Sequence, residues 1–300
     1  MAGAASDLEV VTFGGEPVEV QVLPAVGARL HRLRAFGHDL LRTPDSAATH
    51  AADPFFWGAY VMAPWANRIT AGPTMAGERT VDLPAGFPDG TAIHGQVAAM
   101  AWTRGDDGAF RVRMGGDGWP WQYEVALSVT VAAARVRLDL ALTNLGEVTM
   151  PGGIGFHPWF LGPLELAVAG ERVVPSNLDP TAIDEPVGGT LDLRSLGAVP
   201  PDLDATWLGV ASPAVEIRWP ALGLEATMRT MSARGVCVAV ASPSAISAVA
   251  IEPQTHGPWG LHRFLANEPW GLRPLAPGGQ LDLSIELDIR RFGRPAVPAA

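Results

Sequence analysis

Four short segments of the 300-residue chain carry residue types that strands and turns alone do not require. Ala63–Ile69 reads A-P-W-A-N-R-I, with Asn67 and Arg68 following a tryptophan in an otherwise apolar stretch. An arginine there is either a solvated loop charge or a forked donor fixed toward oxygen ligands. Ala92–Gln96 reads A-I-H-G-Q. A lone histidine such as His94 is most often a structural hydrogen-bonder, yet the glycine after it is consistent with a close approach to something. Pro151–Phe160 reads P-G-G-I-G-F-H-P-W-F and places His157 among aromatic residues. The following proline holds the His157 backbone extended, so the imidazole is presented rigidly, and its ordinary pKa suits it to give or take a proton. Ile251–Gly260 reads I-E-P-Q-T-H-G-P-W-G, with Glu252 closing an apolar run over 245–251 that reads as a strand. A carboxylate at that point is costly unless it is hydrogen-bonded, ion-paired or functional.

Each segment alone is a weak signal. Together they supply a glutamate, histidines and an arginine, flanked by Trp65, Trp159 and Trp259. Aromatic faces stack on sugar rings, and guanidinium and imidazole donors suit hydroxyls, so carbohydrate is the first substrate class to consider. The rival is a zinc or iron site made of His94, His157, Glu252 and His256, but no H-x-H or H-E-x-x-H spacing supports it. There is no G-x-S-x-G elbow for a serine hydrolase and no G-x-G-x-x-G after a strand for a dinucleotide.

The elements that must position these residues are strands. Apolar and polar side chains alternate over 18–22, 110–114, 136–142, 215–219 and 281–289, which predicts antiparallel sheets with one wet face. A hairpin is expected between 124–131 and 135–144, turning through the alanines at 132–134. Helix is scarce; 47–56 makes at most a short helical turn. Gly and Pro, 34 and 27 in number, punctuate the chain as turns. The Pro-rich stretches 175–201 and 267–278 read as long ordered loops, and 294–300 is a Pro/Ala tail. The fold class is all-β: one large antiparallel β-sandwich domain over residues 1–300, split into two layers, with a cleft on the concave layer.

Composition excludes several classes. At 48% hydrophobic and 17% charged residues the chain can bury a core and is not disordered. A net charge of -10 argues against nucleic acid or an anionic membrane as partner. All 21 basic residues are arginine, so no mechanism that needs a lysine amine is open: no Schiff-base aldolase, no pyridoxal phosphate enzyme, no P-loop. Cys237, the single cysteine, excludes an intramolecular disulfide and a thiolate zinc cluster. Residues 1–7 lack the features of a signal peptide. The longest stretches without Asp, Glu or Arg, 148–164 and 235–251, fall short of the roughly 20 apolar residues of a membrane span. A cytoplasmic protein, monomer or homodimer, is expected.

In this order, the four segments resemble the aldose 1-epimerase (galactose mutarotase-like) family, in its bacterial branch with a P-W-x-N-R-I motif. The matching motifs are A-P-W-A-N-R-I, I-H-G, T-N-L-G with P-G-G-I-G-F-H-P-W-F, L-D-A-T-W-L-G before E-I-R-W-P, and E-P-Q-T, spanning residues 63 to 255. The resemblance implies a β-supersandwich with its site on the concave face, working without metal or cofactor on a small sugar. It implies Glu252 as the base that takes the C1 hydroxyl proton and His157 as the acid that protonates the ring oxygen. Arg68 and His94, with Asn67 beside them, match ligands of sugar hydroxyls; Asp204 matches a ligand of the distal hydroxyls, and Trp159 the aromatic position beside the acid. Both catalytic groups are expected to titrate near the working pH, Glu252 being raised by partial burial. Asp204-Ala205 departs from the Asp-His of many relatives, which bears on sugar preference. His256 is expected at the surface. Other readings are an epimerase of sugar phosphates using Arg68 and Arg263, a sugar-binding protein without turnover, and a glycosidase using Asp204 and Glu252.

Overall fold

Strong alternation folds as period two requires. In the computed structural model, which describes residues 8–293, Tyr123–Ala132 pairs with Arg135–Asn144 from Tyr123↔Asn144 to Ala132↔Arg135. The hairpin closes within the expected turn at 132–134, with Ala133 in the left-handed region at φ 52°. Gln280–Arg291 pairs on the other side, with Leu142 opposite Leu281 and Arg135 opposite Asp288. Leu138, Leu140, Leu283 and Ile285 point inward and are buried, whereas the solvent face carries ion pairs such as Arg135–Asp288 and Arg137–Asp139. These strands are the middle of a nine-stranded antiparallel sheet, which also holds the expected strands 110–114 and 215–219.

The second layer is an eleven-stranded antiparallel sheet. Its middle runs Arg29–Ala35, Ala59–Met62, Gly155–Leu161, Ala248–Gln254, Cys237–Ala241, Asp204–Leu208. One face, with Val61, Phe156, Ile251, Val240 and Trp207, packs into the core shared with the first sheet. The opposite face is covered too: Tyr60 and Met62 form one small apolar cluster, Trp159 and Ala250 another, Leu208 and Cys237 a third. Every residue of Ala248–Gln254 is consequently buried.

That double covering corrects one expectation. The strand starts at Ala248, residues 244–247 form a turn, and Glu252 lies inside the strand instead of after it. A strand buried on both sides loses its alternation, so a charged residue in it looks like an end. Among the described residues two short α-helices occur, Thr49–Ala52 within the expected turn and Gly260–Leu265, which the sequence reading lacks. No helix among the described residues is long and apolar enough to cross a membrane. The stretches 175–201 and 267–278 are loops with brief strands at Glu185–Pro186, Gly197–Ala198 and Arg273–Leu275. The N-terminal stretch 1–7 and the 294–300 tail lie outside the described residues.

Candidate active site

His157 and Glu252 come together by strand register. Gly155 pairs with Gln254 and Trp159 with Ala250, which sets His157 opposite Glu252 on the covered outer face. His157 Nε2 stands 3.2 Å from Glu252 Oε1, close enough for a proton to pass between them. Both side chains are buried, and His157 Nδ1 and Glu252 Oε2 have no partner among the described residues. Burial pushes Glu252 well up from the usual carboxylate range; the nearby Asp204 charge adds to the rise and Arg68 opposes it. Burial also pushes His157 down, to about 3, with the Arg29 charge acting the same way. The pair is therefore neutral at rest. Glu252 is raised as expected, but by full burial, and His157 departs from the expected near-neutral value because the imidazolium has no water to solvate it.

Asn67, Arg68 and His94 form one unit. Arg68–Thr70 pairs with Thr91–Ile93, which brings the two segments side by side. Asn67 (φ 57°) and His94 (φ 58°) are both left-handed, a strained state for residues other than glycine. Three hydrogen bonds hold them there. The His94 amide donates to Asn67 O (3.0 Å), the Asn67 amide donates to His94 Nδ1 (3.3 Å), and Asn67 Oδ1 accepts from the Arg68 amide (2.8 Å). The glycine of I-H-G has its reason here: a Cβ on Gly95 would lie 2.0 Å from the Ala63 carbonyl oxygen, and its φ is +77°. The Arg68 guanidinium donates to Asp89 (2.7 Å) and to Asp204 (3.4 Å).

Asp204, on the strand beyond Cys237–Ala241, completes the polar rim. Its other oxygen accepts from Asn177 Nδ2 at 2.7 Å, and Asn177 Oδ1 accepts from Thr206. Burial raises the Asp204 pKa, opposed by Arg68. These groups open onto a cavity of about 260 Å³, below the range of drug-sized pockets and suited to one small ring. All seven candidate residues line it: Asn67, Arg68, His94, His157, Trp159, Asp204 and Glu252.

The aromatic wall is not the one the tryptophans suggested. Trp159 is in place, donating from its indole to Phe55 O (2.6 Å) and stacking on Phe56. Trp65 is a core residue against Trp119, and Trp259 donates to Asn177 O; neither lines the cavity. Phe55, Phe56, Tyr60 and Phe87 do, and the sequence reading missed all four, along with Asp89. The F-F-W run at 55–57 was the available signal.

His256 corrects another expectation. It is fully buried, its Nε2 accepts from the Ala66 amide (3.0 Å) and its Nδ1–H donates to Gly257 O (2.7 Å). Neither a surface residue nor a sugar ligand, it braces the turn that carries Asn67 and Arg68. The metal alternative keeps only three of its four ligands, His94, His157 and Glu252, whose donor atoms lie within 4.8 Å of one another. That set does not fit a cation. His94 Nδ1 accepts from the Asn67 amide, so Nε2 carries the ring proton and faces the cavity as a donor, not as a lone pair. Arg263 is tied to Pro258 O and Ala182 O, away from the cavity.

The aldose 1-epimerase family profile matches residues 10–234, and the chain belongs to that family. Glu252 and His256 lie beyond the matched segment. No curated protein matches the sequence significantly. Among solved structures, a galactose mutarotase-like protein from Clostridium acetobutylicum superposes with a TM-score of 0.80 at 17% identity, covering 95% of this chain and 99% of its own. An aldose epimerase homologue from C. elegans gives 0.78 at 16% identity, with coverage of 95% and 100%. Galactose 1-epimerase from Lactobacillus acidophilus NCFM gives 0.77 at 15% identity, with coverage of 98% and 97%. At these identities the likeness is one of fold.

Proposed function

We propose that the chain is an aldose 1-epimerase that interconverts the α and β anomers of a free aldohexose such as glucose or galactose. The observation that carries this reading is the His157–Glu252 contact at 3.2 Å, buried in a cavity of one-sugar size. Ring opening removes a proton from O1 and delivers one to O5, two oxygens bonded to the same carbon. An acid and a base one hydrogen-bond length apart match that demand. With the shared proton on His157, Glu252 takes the O1 proton, the electrons form the C1 carbonyl, the C1–O5 bond breaks toward O5, and His157 protonates O5. Rotation about C1–C2 and the reverse transfers give the other anomer, with one proton on the pair before and after. Arg68, His94 and Asp204 hold the hydroxyls, Asn67 holds the turn, and the Trp159–Phe56 wall packs the apolar ring face.

Charge favours a neutral sugar over a sugar phosphate. Among the described residues Arg68 is the one cation lining the cavity, it is already paired with Asp89 and Asp204, and the two histidines are neutral. A binder without turnover has no use for a buried acid–base pair, whose desolvation is costly. We further read the chain as a single cytoplasmic domain that needs no cofactor.

Polarimetry of freshly dissolved α-glucose and α-galactose tests the reading. Wild type should accelerate mutarotation of at least one sugar, and Glu252→Gln and His157→Asn should each lose about 10²–10⁴-fold in rate. A variant that keeps wild-type rate removes that residue from the mechanism. Activity should hold far into acid, because His157 takes a second proton only near pH 3.

A further inference from the structure

Arg29 is fully buried and has no acid partner among the described residues. Its Nε donates to Val26 O (3.1 Å), its Nη2 to Pro54 O and Ala98 O (2.9 and 2.8 Å), and its Nη1 to His50 Nδ1 (3.1 Å). None of these partners is a carboxylate. Asp53, whose charge reaches it from a distance, is hydrogen-bonded to the Trp57 indole. Donation from the guanidinium leaves the ring proton of His50 on Nε2, which donates to His31 Nδ1 at 2.9 Å. Two neutral imidazoles thus line up behind the cation. An unpaired buried cation is expensive, and the backbone oxygens that Arg29 ties together require donors but not a charge.

Its position in the sheet suggests what it does. Leu30 pairs with Ala59 and His157 with Tyr60, so Arg29, Tyr60, His157 and Glu252 follow one another across four adjacent strands on one face. The Arg29 Cζ lies 5.4 Å from the Tyr60 ring centroid, and Tyr60 stacks on His157 at 4.6 Å with 22° between the planes. The groups facing His157 are Tyr60 from the Ala59–Met62 strand, Glu252 from the Ala248–Gln254 strand, and His94 from the loop after Thr91–Ile93, with Arg68 and Asp204 farther round the cavity. Tyr60 donates its hydroxyl proton to Phe55 O, His94 is neutral and Glu252 is protonated at rest, so Arg29 is the charge that acts on His157, while Asp204 and Arg68 are paired with each other farther round the cavity.

We propose that Arg29 is a positioning residue for the acid–base pair: its buried charge, acting across the Tyr60 ring, keeps a second proton off His157 and so sets the acid edge of the working range. The functional half of this inference rests on the mutarotase reading; the electrostatic half does not. The pair works with one proton. A second one, on His157 while Glu252 is protonated, removes the base, and a fixed cation nearby is the direct way to oppose it. At an effective interior dielectric constant of about 20, a unit charge two ring-widths away is worth about one pH unit.

The test cancels that charge by two independent routes. Arg29→Met removes it; His50→Asp neutralises it with a carboxylate against Nη1. Arg29→Lys and His50→Gln preserve it. In each folded variant the protonation of His157 is followed by ¹⁵N NMR, assigned from His157→Asn, and kcat/KM for mutarotation is measured against pH. In Arg29→Met and His50→Asp, His157 should take up its proton about one pH unit higher, and the acid limb of kcat/KM should rise with it. In Arg29→Lys and His50→Gln both should stay at the wild-type values. His157 protonating at the wild-type pH in either charge-cancelled variant overturns the proposal, so one folded member of the two suffices. A wild type that does not accelerate mutarotation fails the functional reading separately, while the NMR arm still decides whether Arg29 controls His157.

Discussion

His256 uses both ring nitrogens on backbone groups, and the fold has cleared room for it. A Cβ on Gly153 would lie 2.2 Å from its Cδ2, and one on Gly260 would lie 2.4 Å from its Nδ1. A histidine held this closely, with burial lowering its pKa to about 4, stays neutral and keeps Nε2 free to accept from Ala66. Replacing it by leucine leaves the buried Ala66 amide unpaired, at about 1–3 kcal/mol, and loosens the turn that aims Arg68. His256→Leu should raise KM about tenfold with little change in kcat, and His256→Gln, which carries an acceptor oxygen, should recover part of the loss. Steady-state kinetics separate the two constants, and an unchanged KM in a folded His256→Leu sinks the assignment. The seven candidate residues were legible because motifs place them in order. His256 was not, because nothing in H-G-P-W-G distinguishes an imidazole bonded to a distant amide from one in solvent. Asp89 was hidden for the same reason: it lies in a turn, and its partner Arg68 is 21 residues away in the strand Arg68–Thr70.

At the scale of elements, two short strands and two left-handed residues hold Arg68 and His94 in place. Gly95 is the point where that arrangement meets the chain at Ala63, and Gly77 offers a control with open space around it and φ of +66°. Gly77→Ala should cost only left-handed strain, about 1–2 kcal/mol, and leave the rate unchanged. Gly95→Ala carries the same strain plus the collision with the Ala63 carbonyl, so its denaturant midpoint should fall further, and the rate should fall with it. Equal midpoints for the two variants would mean that the 63–68 segment yields freely and does not fix the site. The difference between readable and unreadable elements follows from their surroundings. Strands 136–142 and 281–289 have one wet face and announce themselves by alternation. Ala248–Gln254 is buried on both faces, so its sequence, A-V-A-I-E-P-Q, shows no period, and the strand was read as ending at Ile251, before Glu252.

The whole molecule is affected by keeping so many imidazoles dry. His50, His157 and His256 are all buried, and burial lowers their pKa values to about 3, 3 and 4 from an ordinary 6.5. The unfolded chain binds protons at these residues below pH 6.5 and the folded chain does not. Stability is therefore lost as pH falls from 6.5 toward 4, each histidine approaching about 1.4 kcal/mol per pH unit. Glu252 and Asp204 act with the opposite sign, since burial raises both and the folded state holds their protons more tightly than the unfolded chain does. Their contribution grows as pH falls toward the ordinary carboxylate range and offsets part of the loss. His94, also lowered by burial, adds a fourth buried histidine to these three against two raised carboxyl groups, which leaves a net decline, so the urea midpoint should drop steadily between pH 6.5 and 4.5. His50→Gln, which has no proton to refuse, should show a shallower decline over the same range. A midpoint that stays level in the wild type would mean that these imidazoles ionise without unfolding, with water reaching the row beneath the active site. In that case the neutrality of His157, and with it the one-proton pair, would have to be given up.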